Sequence, residues 1–348
     1  MSAHQDTQDA PSLPTQIDFQ AEGKQVDWLH IPYSVNRSAY GTLPAPLACI
    51  KNGEGPTVLF MAGVHGDEFE GQICLSQLIR DLQPEQIKGR VIILPMSNFP
   101  AAKAGARVSP LDDANLNRVF PGETTGTVTR QIAQLIETGL MPMADYVFDL
   151  HSGGTSLHYR PTTLLTWSND HEDHERQLAF ANAFGTEYAC FFAGGHSGTS
   201  SSAAAYRQGA TGVTVELGGS ARVSADALAC CASGIQGLME HVGVLGDSSS
   251  TGVTRHSPRL VHAMHKNSFV LAPADGVFEP HVALGDEVKA GDSAGLIHNV
   301  EFPERPPVEV PFLYAGTVIC QRSLALTQRG DCLFHLGTPM ENLRQYPV

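Results

Sequence analysis

Residues Thr57–Gly71, with the sequence TVLFMAGVHGDEFEG, combine the pattern of a buried strand with chemically active side chains. The first six residues are apolar and rich in strand-favouring types, as in a strand that is covered on both faces. The pattern stops at Gly63, and His65 and Glu68 follow three residues apart on a glycine-rich turn. In open α/β sheets, ligands bind at the carboxyl ends of the strands, so this stretch predicts a functional site there.

Two later stretches repeat this arrangement. Tyr146–Leu150 is followed at once by His151, Thr211–Val215 is followed by Glu216, and glycines come next in both cases. A histidine and a glutamate three residues apart would by themselves indicate a solvated loop. Three strands that each deliver a His or Glu before a glycine instead predict that these side chains converge at one edge of a sheet.

Length and composition restrict the class of protein. The chain has 348 residues, of which 42% are hydrophobic and 17% charged, so a globular protein of two domains is expected. The formal net charge of -14 argues against a nucleic-acid partner, since phosphate binding needs clustered Lys and Arg. The seven cysteines include no CxxC pair, and the first residues lack the apolar segment of a signal peptide. We therefore expect a cytoplasmic protein without a membrane partner; assembly into a homo-oligomer is left open.

Three parts are predicted along the chain. Residues 1–14 are polar and are expected to form a disordered tail. In residues 15–248, buried strands alternate with helical stripes, which predicts an α/β domain with a mostly parallel mixed sheet flanked by helices. A connection rich in Ser and Gly follows, and residues 259–348 show short strands with Gly and Asp turns, which predicts a smaller all-β C-terminal domain. The helical stripes lie at Gln72–Leu82, Val128–Leu140, Arg176–Phe184 and Ala225–His241.

The C-terminal pattern also raises a different function, because it resembles biotinyl and lipoyl carrier domains. Such a carrier needs a lysine at its second hairpin turn. The last lysine of the chain is Lys289, which lies before that turn. The sequence therefore disfavours a carrier and favours a domain that covers the site.

The three strand ends supply a candidate metal site. Two imidazoles and one carboxylate, from His65, Glu68 and His151, leave one tetrahedral position open, as in catalytic zinc sites. Glu216 ends a buried strand and is the candidate proton acceptor for hydrolysis; the alternative is a capping or salt-bridged glutamate. Asp149 shares a strand face with His151, where it can fix a ligand imidazole or pair with nearby backbone.

Four motifs in order resemble the succinylglutamate desuccinylase and aspartoacylase family, which is related to the zinc carboxypeptidases. They are HGDE (65–68), NLNRVFPG (115–122), DLHSGG (149–154) and VELGG (215–219). The resemblance implies a zinc-carboxypeptidase-like sheet and a barrel-sandwich-like C-terminal domain. It also implies one zinc ion per chain, held by His65, Glu68 and His151, with Glu216 as the general base.

The same resemblance implies roles for three residues in substrate binding. Asn117 and Arg118 would hold the substrate carboxylate, and Arg107 would stabilise the oxyanion. An arginine suits the first role because its planar fork of donors matches a carboxylate. Arg107 lies further from Arg118 than the corresponding residues in aspartoacylases.

The function implied is zinc-dependent hydrolysis of the amide bond of a small N-acyl amino acid. The stretch ARVSPLDDANLNRVFPGETTGTVT is most similar to family members that deacetylate N-alpha-acetyl-L-2,4-diaminobutyrate in ectoine degradation. The alternatives are a deacylase of the succinylglutamate or N-acetyl-aspartate type and a metallocarboxypeptidase that acts on peptides. A C-terminal domain over the site would exclude polypeptides and admit small substrates.

Three further polar residues are candidates to line the substrate pocket. His158 and Tyr159 closely follow the DLHSGG motif, and His196 lies in a glycine-flanked loop of the kind that often approaches ligands. The alternative for each is a polar residue with no role in binding.

Overall fold

The computed structural model describes residues 13–168, 170–193, 196–245 and 257–340, which form a mixed α/β body and a β-rich C-terminal region. The predicted tail lies outside these residues except for Leu13, which packs on a hydrophobic core, and Pro14, whose carbonyl accepts the N–H of His30. Most of the predicted connection and residues 341–348 also lie outside the described residues. No helix in the described ranges is long and apolar enough to cross a membrane.

Nine strands and six helices form the α/β body in the described part of the chain. The strands are β1 (Gly23–Pro32), β2 (Thr42–Asn52), β3 (Thr57–Ala62), β4 (Gly89–Leu94), β5 (Tyr146–His151), β6 (Leu157–Thr166), β7 (Tyr188–Phe192), β8 (Thr211–Gly219) and β9 (Arg259–His262). The helices are α1 (Glu70–Asp81), α2 (Phe99–Ala104), α3 (Val128–Leu135), α4 (His171–Phe184), α5 (Ser201–Arg207) and α6 (Ala225–His241).

These strands lie in one sheet in the order β1-β2-β4-β3-β5-β8-β6-β7-β9. Strands β4, β3, β5 and β8 are parallel, and β6, β7 and β9 form a second parallel set that is antiparallel to β8. In β3, Val58 and Phe60 pack into one core, whereas Leu59 and Met61 pack into the core on the other face. Burial on both faces explains why this strand is continuously apolar.

The helices cover both faces of the sheet. Leu75 of α1 and Leu238 of α6 join the core on one face, and Ile132 of α3 and Ala204 of α5 join the core on the other. The four predicted helices are confirmed as α1, α3, α4 and α6, although α4 begins five residues earlier than predicted, at His171. Helices α2 and α5 were not predicted, because elements of six and seven residues are too short to show a helical period.

The C-terminal region contributes the strands β10 (Phe269–Leu271), β11 (Gly276–Pro280), β12 (Glu287–Val288), β13 (Ser293–His298), β14 (Val308–Pro311), β15 (Gly316–Arg322), β16 (Leu326–Thr327) and β17 (Cys332–Pro339). Strands β14, β13, β11 and β16 form a separate sheet, in that order. A third hydrophobic cluster, which includes Phe278, Phe312 and Phe334, forms the core of this unit.

Hydrogen bonds join the two regions into one continuous sheet. Strand β17 pairs with β9, and β15 pairs with β6 through Cys320 opposite Tyr159. The predicted boundary at residue 259 therefore assigns β9 to the C-terminal domain, whereas its parallel pairing with β7 places it in the sheet of the α/β body. Such pairing joins segments far apart in sequence, so a change in composition does not reveal it.

The close approach of α1 to the sheet gives a prediction about stability. A Cβ atom added at Gly71 would lie 2.7 Å from Leu150 Cβ and 2.9 Å from Ala62 Cβ. We expect Gly71→Ala to lower the free energy of unfolding by about 1–3 kcal/mol, because both neighbours belong to buried strands. Urea denaturation measures this change. Gln77→Ala, at an exposed position of the same helix, should stay within about 0.5 kcal/mol of wild type. Equal stability of Gly71→Ala and wild type would contradict the prediction.

Candidate active site

The carboxyl ends of three adjacent strands bring the predicted ligands together. His65 and Glu68 follow β3, His151 ends β5, and Glu216 of β8 lies directly opposite His151 in the parallel register. One ligand atom from each of His65, Glu68 and His151 lies within 4.8 Å of the others, and all three residues are buried. The structure thus places the three predicted metal ligands in one cluster.

Glycine shapes the turn that carries the first two ligands. A Cβ atom at Gly66 would lie 2.0 Å from the carbonyl carbon of Ala101 in α2. The N–H of Gly66 also donates to the carbonyl of Ala106, two residues after this helix, over 2.9 Å. Only glycine permits this approach, which fixes where His65 and Glu68 leave the backbone.

Outer hydrogen bonds orient the imidazole of His65. Its Nε2 lies 3.1 Å from Asn115 Oδ1, an oxygen that also accepts the N–H of Asn117. Because this oxygen is an acceptor, Nε2 donates to it, and Nδ1 is the atom that faces Glu68 Oε1, at 2.7 Å. The same tautomer is the one in which Nδ1 can bind a metal ion.

His151 is oriented in the same way by a carboxylate. Its Nε2 donates to Asp149 Oδ2 over 2.8 Å, so its Nδ1 faces Glu68 Oε2 at 2.7 Å. The two Nδ1 atoms, of His65 and His151, are only 3.2 Å apart. Two nitrogen lone pairs and a carboxylate at these distances repel one another unless a cation or protons lie among them. The donor set and its orientation therefore fit a metal ion.

The ionisation of the cluster follows from the same contacts. Burial opposes the charge of Glu68, but His65 and His151 outweigh it and hold the pKa of this carboxyl well below its ordinary value. Burial likewise opposes the charged form of His151, but Asp149 and Glu68 raise the pKa of its imidazole well above the ordinary value. Metal binding would displace the protons that the cluster otherwise holds.

Two residues that the sequence did not suggest hold this cluster from outside. Asn115 orients His65 as described, and the hydroxyl of Ser201 donates to Asp149 Oδ2. Ser201 is the first residue of α5, a helix that was not predicted, and its N–H donates to Asn117 Oδ1 over 2.8 Å. The NLN part of the NLNRVFPG motif was a signal for Asn115, whereas nothing local to Ser201 indicated its contact.

Glu216 faces the cluster without a fixed partner. Its Oε2 atom is buried and has no hydrogen-bond partner among the described residues. Burial, and after it the negative charge of Glu68, raises the pKa of Glu216 well above its ordinary value. A carboxyl group with a raised pKa beside a ligand cluster can accept a proton and later release it.

The three polar residues predicted to bind substrate lie at the same cavity. Arg107 Nη1 is 3.4 Å from Glu68 Oε1, and Arg118 Nη1 donates to the carbonyl of Asn117 over 2.7 Å. Burial, and after it the positive charge of Arg107, lowers the pKa of Arg118. Because Asn117 Oδ1 is used by Ser201, the group that Asn117 offers to a ligand is its amide NH2. These donors together favour an anionic group.

The cavity at the cluster has a volume of about 520 Å³ and is lined from both regions of the chain. Tyr159 lines it, as predicted, and Phe269 and His335 reach it from the C-terminal region. The other two candidates, His158 and His196, are not among the residues that line it. His158 Nδ1 pairs with Ser220 Oγ at 3.0 Å, and His196 Nε2 pairs with Asp173 Oδ2 at 2.6 Å. The C-terminal region thus forms part of the cavity wall.

Known proteins are similar to this chain in sequence and fold. A family model described as the succinylglutamate desuccinylase/aspartoacylase catalytic domain matches residues 54–242. The N-alpha-acetyl-L-2,4-diaminobutyric acid deacetylase of Halomonas elongata is 36% identical over 97% of this chain and 98% of its own length. A succinylglutamate desuccinylase/aspartoacylase structure from Rhodobacter sphaeroides has a TM-score of 0.89 and 35% identity, over 95% of this chain and 99% of that one. The product-bound ectoine utilization protein EutE (DoeB) from Ruegeria pomeroyi has a TM-score of 0.88 and 34% identity, over 94% and 98%.

The ligand cluster predicts metal binding that depends on both histidines. We expect His65→Ala and His151→Ala each to lower the metal content of the purified protein well below that of wild type, because two donors bind a metal ion far more weakly than three. Elemental analysis measures this content, and far-UV circular dichroism checks the fold. His281→Ala removes an exposed histidine of the C-terminal region and should leave the metal content unchanged. Full metal occupancy in both cluster variants would show that the ion binds elsewhere.

Proposed function

The chain belongs to the succinylglutamate desuccinylase/aspartoacylase family, and from this premise we propose that it hydrolyses the amide bond of a small N-acyl amino acid. The substrate that we propose is N-alpha-acetyl-L-2,4-diaminobutyrate, which the name of the Halomonas elongata relative specifies for that protein. The observation that carries the proposal is the inward orientation of both imidazoles and Glu68 beside Glu216. The likeness to an ectoine utilization protein supports a role in ectoine degradation.

We propose that His65, Glu68 and His151 hold one zinc ion per chain. Two nitrogen donors and one carboxylate suit zinc, and they leave a coordination position for a further ligand. When bound, zinc supplies Lewis acidity that polarises a carbonyl group and lowers the pKa of water. Asn115 and Asp149 keep both histidines in the tautomer that the ion requires.

Glu216 moves the proton in the proposed reaction. Hydrolysis of an amide requires removal of a proton from the attacking water and delivery of a proton to the leaving nitrogen. The carboxyl group of Glu216, a residue that lines the cavity, can accept the first proton, and its raised pKa allows it to hold that proton until the amine departs. Asp149 instead orients His151, since its Oδ2 accepts hydrogen bonds from His151 Nε2 and the hydroxyl of Ser201.

The two arginines orient the substrate. The hydrogen bond from Arg118 Nη1 to Asn117 leaves Nε and Nη2 of the guanidinium available for the substrate carboxylate. An anion at this position also offsets both the burial and the repulsion from Arg107, which together lower the pKa of Arg118. Arg107 lies near Glu68 and so, in our proposal, stabilises the negative charge that develops on the acyl oxygen.

The form of the cavity favours a small substrate over a polypeptide. Phe269 and His335 of the C-terminal region line the same cavity as His65 and Glu216. A carboxypeptidase would need room there for an extended chain. We therefore prefer deacylation to peptide hydrolysis. We propose that this protein, whose site is partly covered by the C-terminal region, acts on free N-acyl amino acids.

We also propose a finer description of the fold and a cellular location. Parallel strands that carry ligands at their carboxyl ends support a zinc-carboxypeptidase-like sheet. Two β layers around one hydrophobic core support a barrel-sandwich-like C-terminal unit. All seven cysteines are free, which supports a reducing compartment such as the cytoplasm.

The role of Glu216 predicts a variant that binds metal and does not turn over. Glu216→Gln should retain the metal and lower kcat by about two to four orders of magnitude, because an amide cannot accept the proton. Steady-state assays with N-alpha-acetyl-L-2,4-diaminobutyrate, together with elemental analysis, measure both properties. Glu279→Gln changes an exposed carboxylate of the C-terminal region and should have normal kcat. Near-normal turnover of Glu216→Gln would assign this residue to structure.

The carboxylate anchor predicts the effect of losing Arg118. Arg118→Ala should lower kcat/KM by about ten- to a hundredfold, because a charged partner in a half-dehydrated cavity loses its hydrogen bonds. Arg118→Lys should recover part of this loss, since it keeps the charge and lacks the planar fork. Arg130→Ala removes a half-exposed arginine that pairs with Glu123, and it should keep normal kcat/KM. Faster hydrolysis of the substrate carboxamide than of the carboxylate by wild type would refute the anchor. A preference for N-acetyl-aspartate over the diaminobutyrate compound would refute the proposed substrate.

A further inference from the structure

A chain of hydrogen bonds runs around the outside of the ligand cluster and joins the outer nitrogens of its two histidines. We call it the outer chain, and its members are Asn115, Asn117, Ser201 and Asp149. From His65 Nε2 it passes over 3.1 Å to Asn115 Oδ1, which accepts the N–H of Asn117 over 2.9 Å. From His151 Nε2 it passes over 2.8 Å to Asp149 Oδ2. Ser201 lies between these two halves.

Ser201 supplies both of the bonds that close the outer chain. Its N–H donates to Asn117 Oδ1 over 2.8 Å, and its hydroxyl donates to Asp149 Oδ2. Asn117 belongs to the turn Leu116–Arg118, whereas Asp149 belongs to β5. One residue of α5 therefore connects the side chain that we propose for the substrate carboxylate with the carboxylate that orients a metal ligand.

Close packing fixes the position of Ser201. The residue is only 1% exposed, and α5 lies against β8 at Gly212, where an added Cβ atom would be 3.0 Å from Ala205 Cβ. At the other end of α5, the guanidinium of Arg207 donates to both carboxylate oxygens of Glu137, over 2.9 and 2.8 Å. The helix therefore cannot carry Ser201 away from either partner without loss of these contacts.

The two bonds of Ser201 transmit a change at one end of the outer chain to the other end. A carboxylate that accepts from the amide NH2 of Asn117 polarises this amide, so Oδ1 becomes a stronger acceptor for the N–H of Ser201. On the other side, Asp149 Oδ2 accepts from both Ser201 and His151, so the hydroxyl restricts how far the carboxylate can turn away from the imidazole. A bound carboxylate and a well-oriented His151 thus favour the same position of Ser201.

We propose, on the premise of the proposed function, that Ser201 is a positioning residue that couples the substrate-carboxylate site to the metal site. A carboxylate bound at Asn117 holds Ser201 in place. Ser201 in turn holds Asp149, which keeps His151 in the orientation that a metal ion requires. Because coupling between two binding sites is reciprocal, the metal ion also strengthens the binding of the carboxylate.

Zinc affinity in the absence of substrate tests the half of the outer chain that reaches the metal site. Ser201→Ala removes the hydroxyl bond to Asp149 and keeps the N–H that holds Asn117. We expect its dissociation constant for zinc, measured by competition with a chelator, to rise about tenfold above that of wild type, as is usual when a partner of a metal ligand is disturbed. Ser201→Thr keeps a hydroxyl and should recover most of the affinity. An unchanged constant in Ser201→Ala would overturn the proposal.

Two further variants control this measurement. The exposed Ser224 caps α6 by accepting the N–H of Ala227, so Ser224→Ala should lower stability but keep the wild-type zinc affinity. An equal loss of zinc affinity in Ser224→Ala and Ser201→Ala would mean that general destabilisation causes it, and this would contradict the outer chain. Ser201→Cys has a similar volume and a weaker donor, and it should show a loss in the same direction if Ser201→Ala does not fold.

The coupling itself is measured in the background of Glu216→Gln, which should bind the substrate without hydrolysing it. Calorimetry gives the dissociation constant of N-alpha-acetyl-L-2,4-diaminobutyrate for the zinc-loaded and for the zinc-free protein. We expect zinc to tighten this binding by about fivefold or more. Addition of Ser201→Ala should lower the ratio by about threefold, since direct contacts between substrate and zinc are the same in both proteins. A ratio that Ser201→Ala does not change would overturn the coupling.

The two measurements separate failure of this inference from failure of the proposed function. Zinc affinity is measured without substrate, so a wild type that hydrolyses no N-acyl amino acid would refute the deacylase and leave the test of Ser201 intact. A wild type that hydrolyses the proposed substrate, together with equal zinc affinity in Ser201→Ala, would refute the inference and leave the proposed function standing.

Discussion

The contact on which the site depends is the carboxylate of Glu68 between the Nδ1 atoms of His65 and His151. Each imidazole has its proton on the outer nitrogen because Asn115 Oδ1 and Asp149 Oδ2 accept it there. The Nδ1 atoms of both imidazoles are then directed towards Glu68. The lone pairs on these atoms repel each other unless a cation or protons lie between them. By orienting the two imidazoles, the outer acceptors therefore favour the binding of a metal ion.

Much of this site was readable from the sequence because its ligands follow buried strands directly. The apolar run before His65 and the one before His151 predict parallel strands, and parallel strands align their carboxyl ends. The shared position of His65, Glu68, His151 and Glu216 at one edge of the sheet therefore followed from local signals. Ser201 and Phe269 did not have such signals. Ser201 lies in a short helix and Phe269 in a short strand, and neither element is long enough to show a periodic pattern of apolar residues. Each residue reaches the site through a contact between segments far apart in the chain.

The charge of the molecule and the charge of its cavity differ in a way that bears on substrate choice. The chain as a whole carries a formal net charge of -14, yet Arg107 and Arg118 both line the cavity. Exposed carboxylates repel an anionic ligand at a distance, whereas the two guanidinium groups attract it within the cavity. A ligand with an anionic end and a cationic end suffers less repulsion on approach than a dianion. The electrostatics of the surface and of the cavity thus favour a ligand with both charges over a dianion.

The pairing of β15 with β6 and of β17 with β9 also limits how such a protein can diverge. A module attached by a linker can be exchanged by recombination without harm to its neighbour. Here an exchange would have to reproduce two strand registers, including the position of Cys320 opposite Tyr159, or leave open edges in the central sheet. Selection for new substrates therefore acts most easily through single substitutions at positions such as Phe269 and His335, and the two regions are inherited together.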